Sequence, residues 1–364
     1  MSNKRFLTYA GILAIIIIFI RIYGAGKYQV ETNYSLGFYP HWGVFLRFLF
    51  GWIPFSVGDI MYGLSGCWIL WKFISITRAI IKRKVNSKSF LRGLKKSILF
   101  VGVLYVVFNF SWGLNYKRQG IFFQLNLRAD TINYNQLKQI TFLLTDKLNT
   151  TKRYLVNNHL EYPTNKELIK KVNIAYQRAA DTLYFLKYHP ISLKSSLWGW
   201  MGNYTGFTGY YNPFTGEAQV NTTVPKFLQP FVACHEVGHQ LGYAKENEAN
   251  SVGYLAALYS GDSLLLYSTY FDLYIYASRE LFFQSFVHKD TGIIKQYKAL
   301  LIPEVLLDIK EMRSFFLSHK NAVEPIIRMG YGFYLKNNMQ PNGINSYDDV
   351  TGFLVAFYKK FGRI

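Results

Sequence analysis

The sequence predicts a multi-span α-helical membrane anchor followed by a mostly helical α+β domain. Three observations carry this expectation: three apolar runs within residues 1–116, a change of composition at Lys117, and a metal-ligand pattern near residue 235. The chain has 364 residues, of which 50% are hydrophobic and 18% aromatic, with 41 Lys+Arg against 21 Asp+Glu. A disordered basic chain would lack such aromatics. A disulfide scaffold needs many more cysteines than Cys67 and Cys234, and two cysteines also exclude a four-cysteine zinc site.

The first run, Phe6 to Ile20, lies between Lys4-Arg5 and Arg21. With its flanks reaching the headgroups it has the length of a span, drawn here at 6–22. A cleaved signal peptide is the rival, but Tyr23-Gly24-Ala25-Gly26 is a poor small-x-small site. The second span covers 57–77, with Asp59 and Lys72 near its ends, and the third covers 97–116. Trp68, Trp71 and Trp112 suit interfacial anchoring. Residues 38–55 are aromatic and interrupted by Pro40, Gly43, Gly51 and Pro54. They fit an interfacial helix or a fourth insertion, and periodicity does not choose between the two.

Loop charge gives the orientation. The loop 78–96 carries eight Lys+Arg and no acid, whereas the first loop has only Arg21, Lys27 and Arg47 beside Glu31 and Asp59. The positive-inside rule then makes 78–96 cytoplasmic, with the amino terminus on the same side. Residues 117–364 fall on the extracytoplasmic side of the cytoplasmic (inner) membrane. Residues 1–116 hold 14 Lys+Arg and two acids, so most of the formal +20 is a topology signal. Membrane lipid is the expected partner of this region, and no nucleic acid is expected.

Beyond Lys117 polar residues break every apolar stretch. Residues 134–160 and 164–187 show helical spacing of Leu, Ile, Val and aromatics. Segment 264–287 approaches membrane length, but Asp272, Arg279 and Glu280 interrupt it, which predicts a helix buried in a globular domain. In 198–216, Gly199, Gly202, Gly206, Gly209 and Gly216 alternate with Trp, Tyr and Phe, and Asn212-Pro213 marks a turn. A strand is expected over 217–224.

The chemistry concentrates in 230–250. Pro230 suits a first helical turn and Gly242 a helix end. His235 and His239, four apart, project from one face and can share a divalent zinc. Glu236, beside the first ligand, can act as general base on the activated water. Chance would place this HExxH pattern roughly 0.004 times in a chain of this composition. A third ligand is needed, and Glu246 and Glu248 are the nearby carboxylates. Glu246 is preferred over Glu248: it shares a helix face with Asn250, which can orient a ligating histidine, and the turn at Gly242 folds the chain back.

His235-Glu236-Val237-Gly238-His239 followed by Glu246-x-x-Ala249-Asn250 resembles the zincin metallopeptidases whose third ligand is a glutamate. Asn250 stands where those families often have Asp, and the gap between His239 and Glu246 is shorter than in many. Over nearly its full length the chain also resembles a bacterial membrane family described as domain of unknown function 3810. The matching stretches are Gly209 to Ala218, His235 to Tyr254, and Tyr334 to Asn337 with Ser346-Tyr347. The resemblance implies a membrane-anchored zincin-like domain and brings no substrate.

Among the remaining residues, Glu217, Gln219 and Asn221 lie on a strand that would serve as the edge holding an extended peptide substrate, or as a plain core strand. Tyr210 and Tyr211, with Tyr204, are candidate oxyanion stabilisers, although aromatics in such loops more often pack. Cys234 reads as a small buried residue. His41, His159, His189, His288 and His319 belong to no motif. The expected function is a zinc-dependent metallopeptidase acting on envelope proteins or peptides. The alternative is a non-enzymatic, zinc-stabilised scaffold or partner of an envelope complex.

Overall fold

In the computed structural model, residues 2–128, 132–337 and 348–364 are described. Most of them are helical, with one small sheet. Helix Asn3–Ala25 is capped by Ser2, helix Val57–Ile81 by Ser56, and helix Ser87–Ser111 by a reciprocal Asn86–Ser89 box. Each cap supplies an acceptor to an otherwise unpaired first-turn N–H. Asn3–Ala25 and Val57–Ile81 are long and apolar enough to cross a membrane, and their apolar windows are buried by no other part of the chain. Ser87–Ser111 runs along the first helix, where Gly102 lets the Leu13 side chain approach.

The expected third run reaches further than its helix. The α-helix stops at Ser111, and Gly113–Lys117 form a buried 3-10 turn. Trp112 is therefore not an interfacial anchor: it is buried, and its Nε1 donates to the His239 carbonyl at 3.2 Å. Trp68 and Trp71 remain exposed.

Residues 27–56 pack onto the C-terminal part, so a boundary at 116/117 cuts through a single packed unit. A nine-residue π-helix, Val30–Phe38, leads into helix Tyr39–Phe50. That helix buries Tyr39, Gly43, Leu46 and Arg47, and exposes Val44, Phe45, Phe48 and Leu49 on its other side. Tyr39 Oη donates to the Gln240 carbonyl at 2.9 Å. Lys194 Nζ donates to the carbonyls of Gly51 and Ile53. The strongest tie is a buried ion pair, Arg118 to Glu31 at 2.7 Å.

The sheet consists of β1 (Leu193–Ser195), β2 (Gly209–Asn212) and β3 (Glu217–Val220), in the order β1-β3-β2. β3 pairs parallel with β1 and antiparallel with β2. This corrects the edge-strand expectation for 217–224: the strand ends at Val220 and both its edges are occupied. Glu217, Gln219 and Asn221 are all buried and engaged within the fold. Glu217 accepts from the N–H groups of Val57 and Gly58 (3.1 and 2.6 Å), and Asn221 Nδ2 donates to Asn203 Oδ1 at 2.7 Å. The edge strand beside the candidate centre is β2.

The core lies among helices Tyr134–Asn157, Asn165–Thr182, Glu246–Ser260, Ser263–Val287 and Asp348–Phe361. The apolar stripes read from the sequence meet there through Leu144, Leu148, Val172, Leu255, Phe271 and Phe353. Ser346 and Tyr347 lie outside the described residues.

Candidate metal centre

Helix Gln229–Gln240 carries Pro230 in its first turn, where the missing N–H costs nothing. It is followed by Gly242 at φ +90°, a conformation that an L side chain rarely adopts and that turns the chain back. The next helix, Glu246–Ser260, then packs antiparallel against the first. The approach is close: a Cβ on Gly253 would stand 3.1 Å from the His235 backbone nitrogen.

This packing brings His235, His239 and Glu246 together, with one donor atom from each all within 4.8 Å of one another. Glu246 Oε2 lies 3.3 Å from His235 Nε2 and 3.7 Å from His239 Nε2. Ligand atoms about 2.0–2.1 Å from a tetrahedral zinc stand about 3.3–3.4 Å apart; the His235–Glu246 separation matches this and the His239–Glu246 separation is slightly longer. The Nδ1 atoms face acceptors, the Asn250 Oδ1 at 2.6 Å and the Tyr243 carbonyl at 2.7 Å. The Tyr243 carbonyl can only accept, so in the neutral ring His239 Nδ1 carries the proton and Nε2 keeps its lone pair. The same holds for His235 against Asn250 Oδ1. Two imidazole lone pairs thus face a buried carboxylate, an arrangement that needs positive charge at its middle. Burial alone would raise the Glu246 pKa; with no cation between the groups, the charge and N–H donors of protonated His239 and His235 outweigh it and hold the carboxyl well below its ordinary range.

Glu248 takes no part in this cluster. Its Oε1 accepts from Lys245 at 3.2 Å, and the carboxylate lies over Gly120, where a Cβ would collide with it. Glu236 is buried on the wall of the site, and its Oε2 has no hydrogen-bond partner among the described residues. It sits against Gly209 of β2, where an added Cβ would come within 2.6 Å of its Oε1. Burial pushes its carboxyl up to about 8, with His235 opposing and Glu246 reinforcing the shift.

These groups line a cavity of about 600 Å³, together with Tyr62, Tyr210, Tyr211, Trp112, Asp272 and Tyr331. Tyr210 forms part of its wall against Tyr62, at a ring separation of 6.2 Å. Tyr211 is tied to Tyr39, hydroxyl to hydroxyl at 3.1 Å, and burial raises its pKa to about 12. Tyr204 does not line the cavity: it is exposed beside it, against His319. Cys234 is fully buried away from the cluster.

Several cavity residues escaped the sequence reading, Tyr331 and Asp272 among them. Tyr331, on helix Glu324–Asn337, donates to Glu246 Oε1 at 2.6 Å. Asp272, legible only as a break in an apolar run, faces the site, and burial raises its carboxyl to about 6 against the opposing pull of His235 and Tyr276. Proximity to the motif could not find either residue, because both arrive from distant helices. An acid inside an otherwise buried apolar helix was the one available signal for Asp272.

Asn250 Oδ1 stands 2.6 Å from His235 Nδ1, so its removal has a defined consequence. Asn250→Ala is expected to weaken zinc affinity by about 10–100-fold, measured by competition with a chromophoric chelator. An unchanged affinity would show that the contact does not orient the ring for metal.

No curated protein and no solved structure matches the chain. Residues 34–355 match the family described as "Protein of unknown function (DUF3810)". The matched stretch takes in residues 34–56 of the segment packed beneath the motif helix, both later apolar helices and every residue of the candidate centre, and the chain belongs to this family.

Proposed function

We propose that the chain is a membrane-anchored zinc metallopeptidase whose catalytic cavity opens on the extracytoplasmic side of the cytoplasmic membrane. The observation that carries this reading is the convergence of His235, His239 and Glu246 with the unpaired Glu236 carboxylate in one cavity. A purely structural site has no need of that second acid.

Zinc held by these three donors supplies Lewis acidity toward a scissile carbonyl and lowers the pKa of water. Asn250 and the Tyr243 carbonyl fix the ring tautomers, and Tyr331 holds Glu246 in place. Glu236 takes the proton of the attacking water and passes it to the leaving amine. Tyr210, which lines the cavity, would donate to the developing oxyanion. β2, rather than β3, is the strand along which an extended peptide can pair.

The membrane assignment combines the two apolar helices with Ser87–Ser111 as a third span, and the basic 78–96 loop sets its direction. The test uses purified full-length protein and a mixed pool of envelope peptides. A strong chelator should abolish cleavage, and added zinc should restore it. Cleavage indifferent to the chelator would dismiss the metal mechanism.

A further inference from the structure

Two anchor helices contribute to the cavity lining. Tyr62 belongs to helix Val57–Ile81, and Phe108 to helix Ser87–Ser111. Tyr62 lies five residues inside its helix and Phe108 three, which at 1.5 Å per residue is about 5–8 Å below the outer ends. A soluble catalytic domain perched above a membrane tether would have no reason to line its cavity with these residues. Here the space that holds Glu236 is lined by residues of two different anchor helices.

Apolar side chains are also exposed on elements that adjoin these helix ends. Phe48, Trp52, Trp200, Met201, Met329 and Phe333 are all exposed, Trp52 to 78% and Phe333 to 72%. Each sits on an element fixed to the outer ends of the anchor helices. Trp52 lies in the turn that leads into Val57–Ile81. Trp198 Nε1 donates to the Asp59 carbonyl at 3.0 Å, which ties the short helix Gly199–Thr205 to the same end. Tyr334 packs edge-on against Phe108 and Tyr116, so helix Glu324–Asn337 crosses beside the third anchor helix. That helix turns Tyr331 and Tyr334 toward the cavity and exposes Ile326, Met329 and Phe333, at a spacing of three and four, on another face. Exposed aromatics in a ring around the ends of spanning helices belong at the headgroup level.

We infer that the substrate is a polypeptide itself tethered to the bilayer, cut in the segment immediately outside its membrane anchor. This rests on the metallopeptidase and membrane readings above, and it names the class of substrate they leave open. A tethered chain leaves the membrane at the depth where the cavity opens and meets β2 and Glu236 within a few residues. A freely soluble peptide has to enter past a belt of aromatic residues that lies against lipid.

The test reconstitutes the full-length protein with zinc in vesicles of phosphatidylethanolamine and phosphatidylglycerol. The probes carry one randomised block joined to an apolar helical anchor through a spacer of about 5 or about 40 residues. Both are equally membrane-bound, so surface concentration does not distinguish them. The short-spacer probe should be cut about 10-fold faster, with mass spectrometry placing the cut at a constant distance from the anchor. Equal rates, or faster cutting of the long-spacer probe, would overturn the inference and leave the peptidase reading standing. If neither probe is cut, or if a strong chelator leaves the cleavage of both unchanged, the metallopeptidase reading falls and the inference with it.

Discussion

Glu236→Gln is expected to lower peptide hydrolysis by about 10²–10⁴-fold while zinc stays bound. The substitution keeps the shape of a side chain that is fitted closely against Gly209, so the wall of the cavity is preserved. It leaves His235, His239 and Glu246 untouched, so the donor set is intact. What it removes is the proton acceptor. An amide cannot accept the proton of the attacking water, and the Oε2 position that has no partner among the described residues loses its basicity. Turnover and metal content are measured on the same preparation. Full activity with one equivalent of zinc would exclude Glu236 as the base, whereas loss of both activity and metal would show that it supports the centre itself.

The largest effect on stability is expected at Arg118. Its Nε and Nη2 donate to Glu31 at 3.0 and 2.7 Å, and Nη1 donates to the Gly242 carbonyl at 3.1 Å. Both members of the pair are buried, so Arg118→Met strands a carboxylate that, among the described residues, keeps the Gly120 N–H and Gln124 as partners. Breaking a buried pair from one side costs about 3–5 kcal/mol. Replacing Glu31 with Leu in the same background should recover part of that loss, because no charge is then left behind. The readout is unfolding by denaturant in detergent, and a loss under about 1 kcal/mol would show the pair to be dispensable. Because Arg118 also holds the turn after the motif helix, zinc affinity should weaken in parallel.

The same pair gives a pH dependence with a definite sign. Burial favours the neutral form of Glu31, but the hydrogen bonds and charge of Arg118, with Gly120 and Gln124, outweigh it and lower the folded pKa. The unfolded carboxyl titrates near its ordinary value of about 4.3. The stabilisation is therefore present above about pH 4.3 and is lost as pH falls toward the lower folded value. Wild type should lose stability across that acid window, and the variant lacking both Arg118 and Glu31 should lose less.

The motif helix was legible because its information is local. Pro230, Gly242 and the four-residue spacing of His235 and His239 fix a helix, its end and one ligand face without reference to the rest of the chain. The phase of Glu246 relative to Asn250 belongs to the same class, and the structure puts these two on the motif histidines while Glu248 turns toward Gly120 and Lys245. Sheet order is different. Glu217, Gln219 and Asn221 look like an edge strand until β1 takes the second side of β3, and that pairing depends on where residues 193–195 come to lie. Trp112 was misjudged for a similar reason. An aromatic at the end of an apolar run suits a membrane interface, yet here the chain turns at once into the domain and buries the ring beside His239. Residues 27–56 carry no mark in composition that they pack under the motif helix, because Tyr39 and Glu31 find their partners about 90–200 positions away.

X-ray absorption on the purified full-length protein, with metal content determined in parallel, tests the catalytic-zinc reading at its root. The expected result is one zinc per chain, bound by two imidazole nitrogens and one carboxylate oxygen, with a fourth light-atom ligand that a small anionic inhibitor displaces. A centre closed by four protein ligands, or a protein that retains no divalent metal, would contradict it.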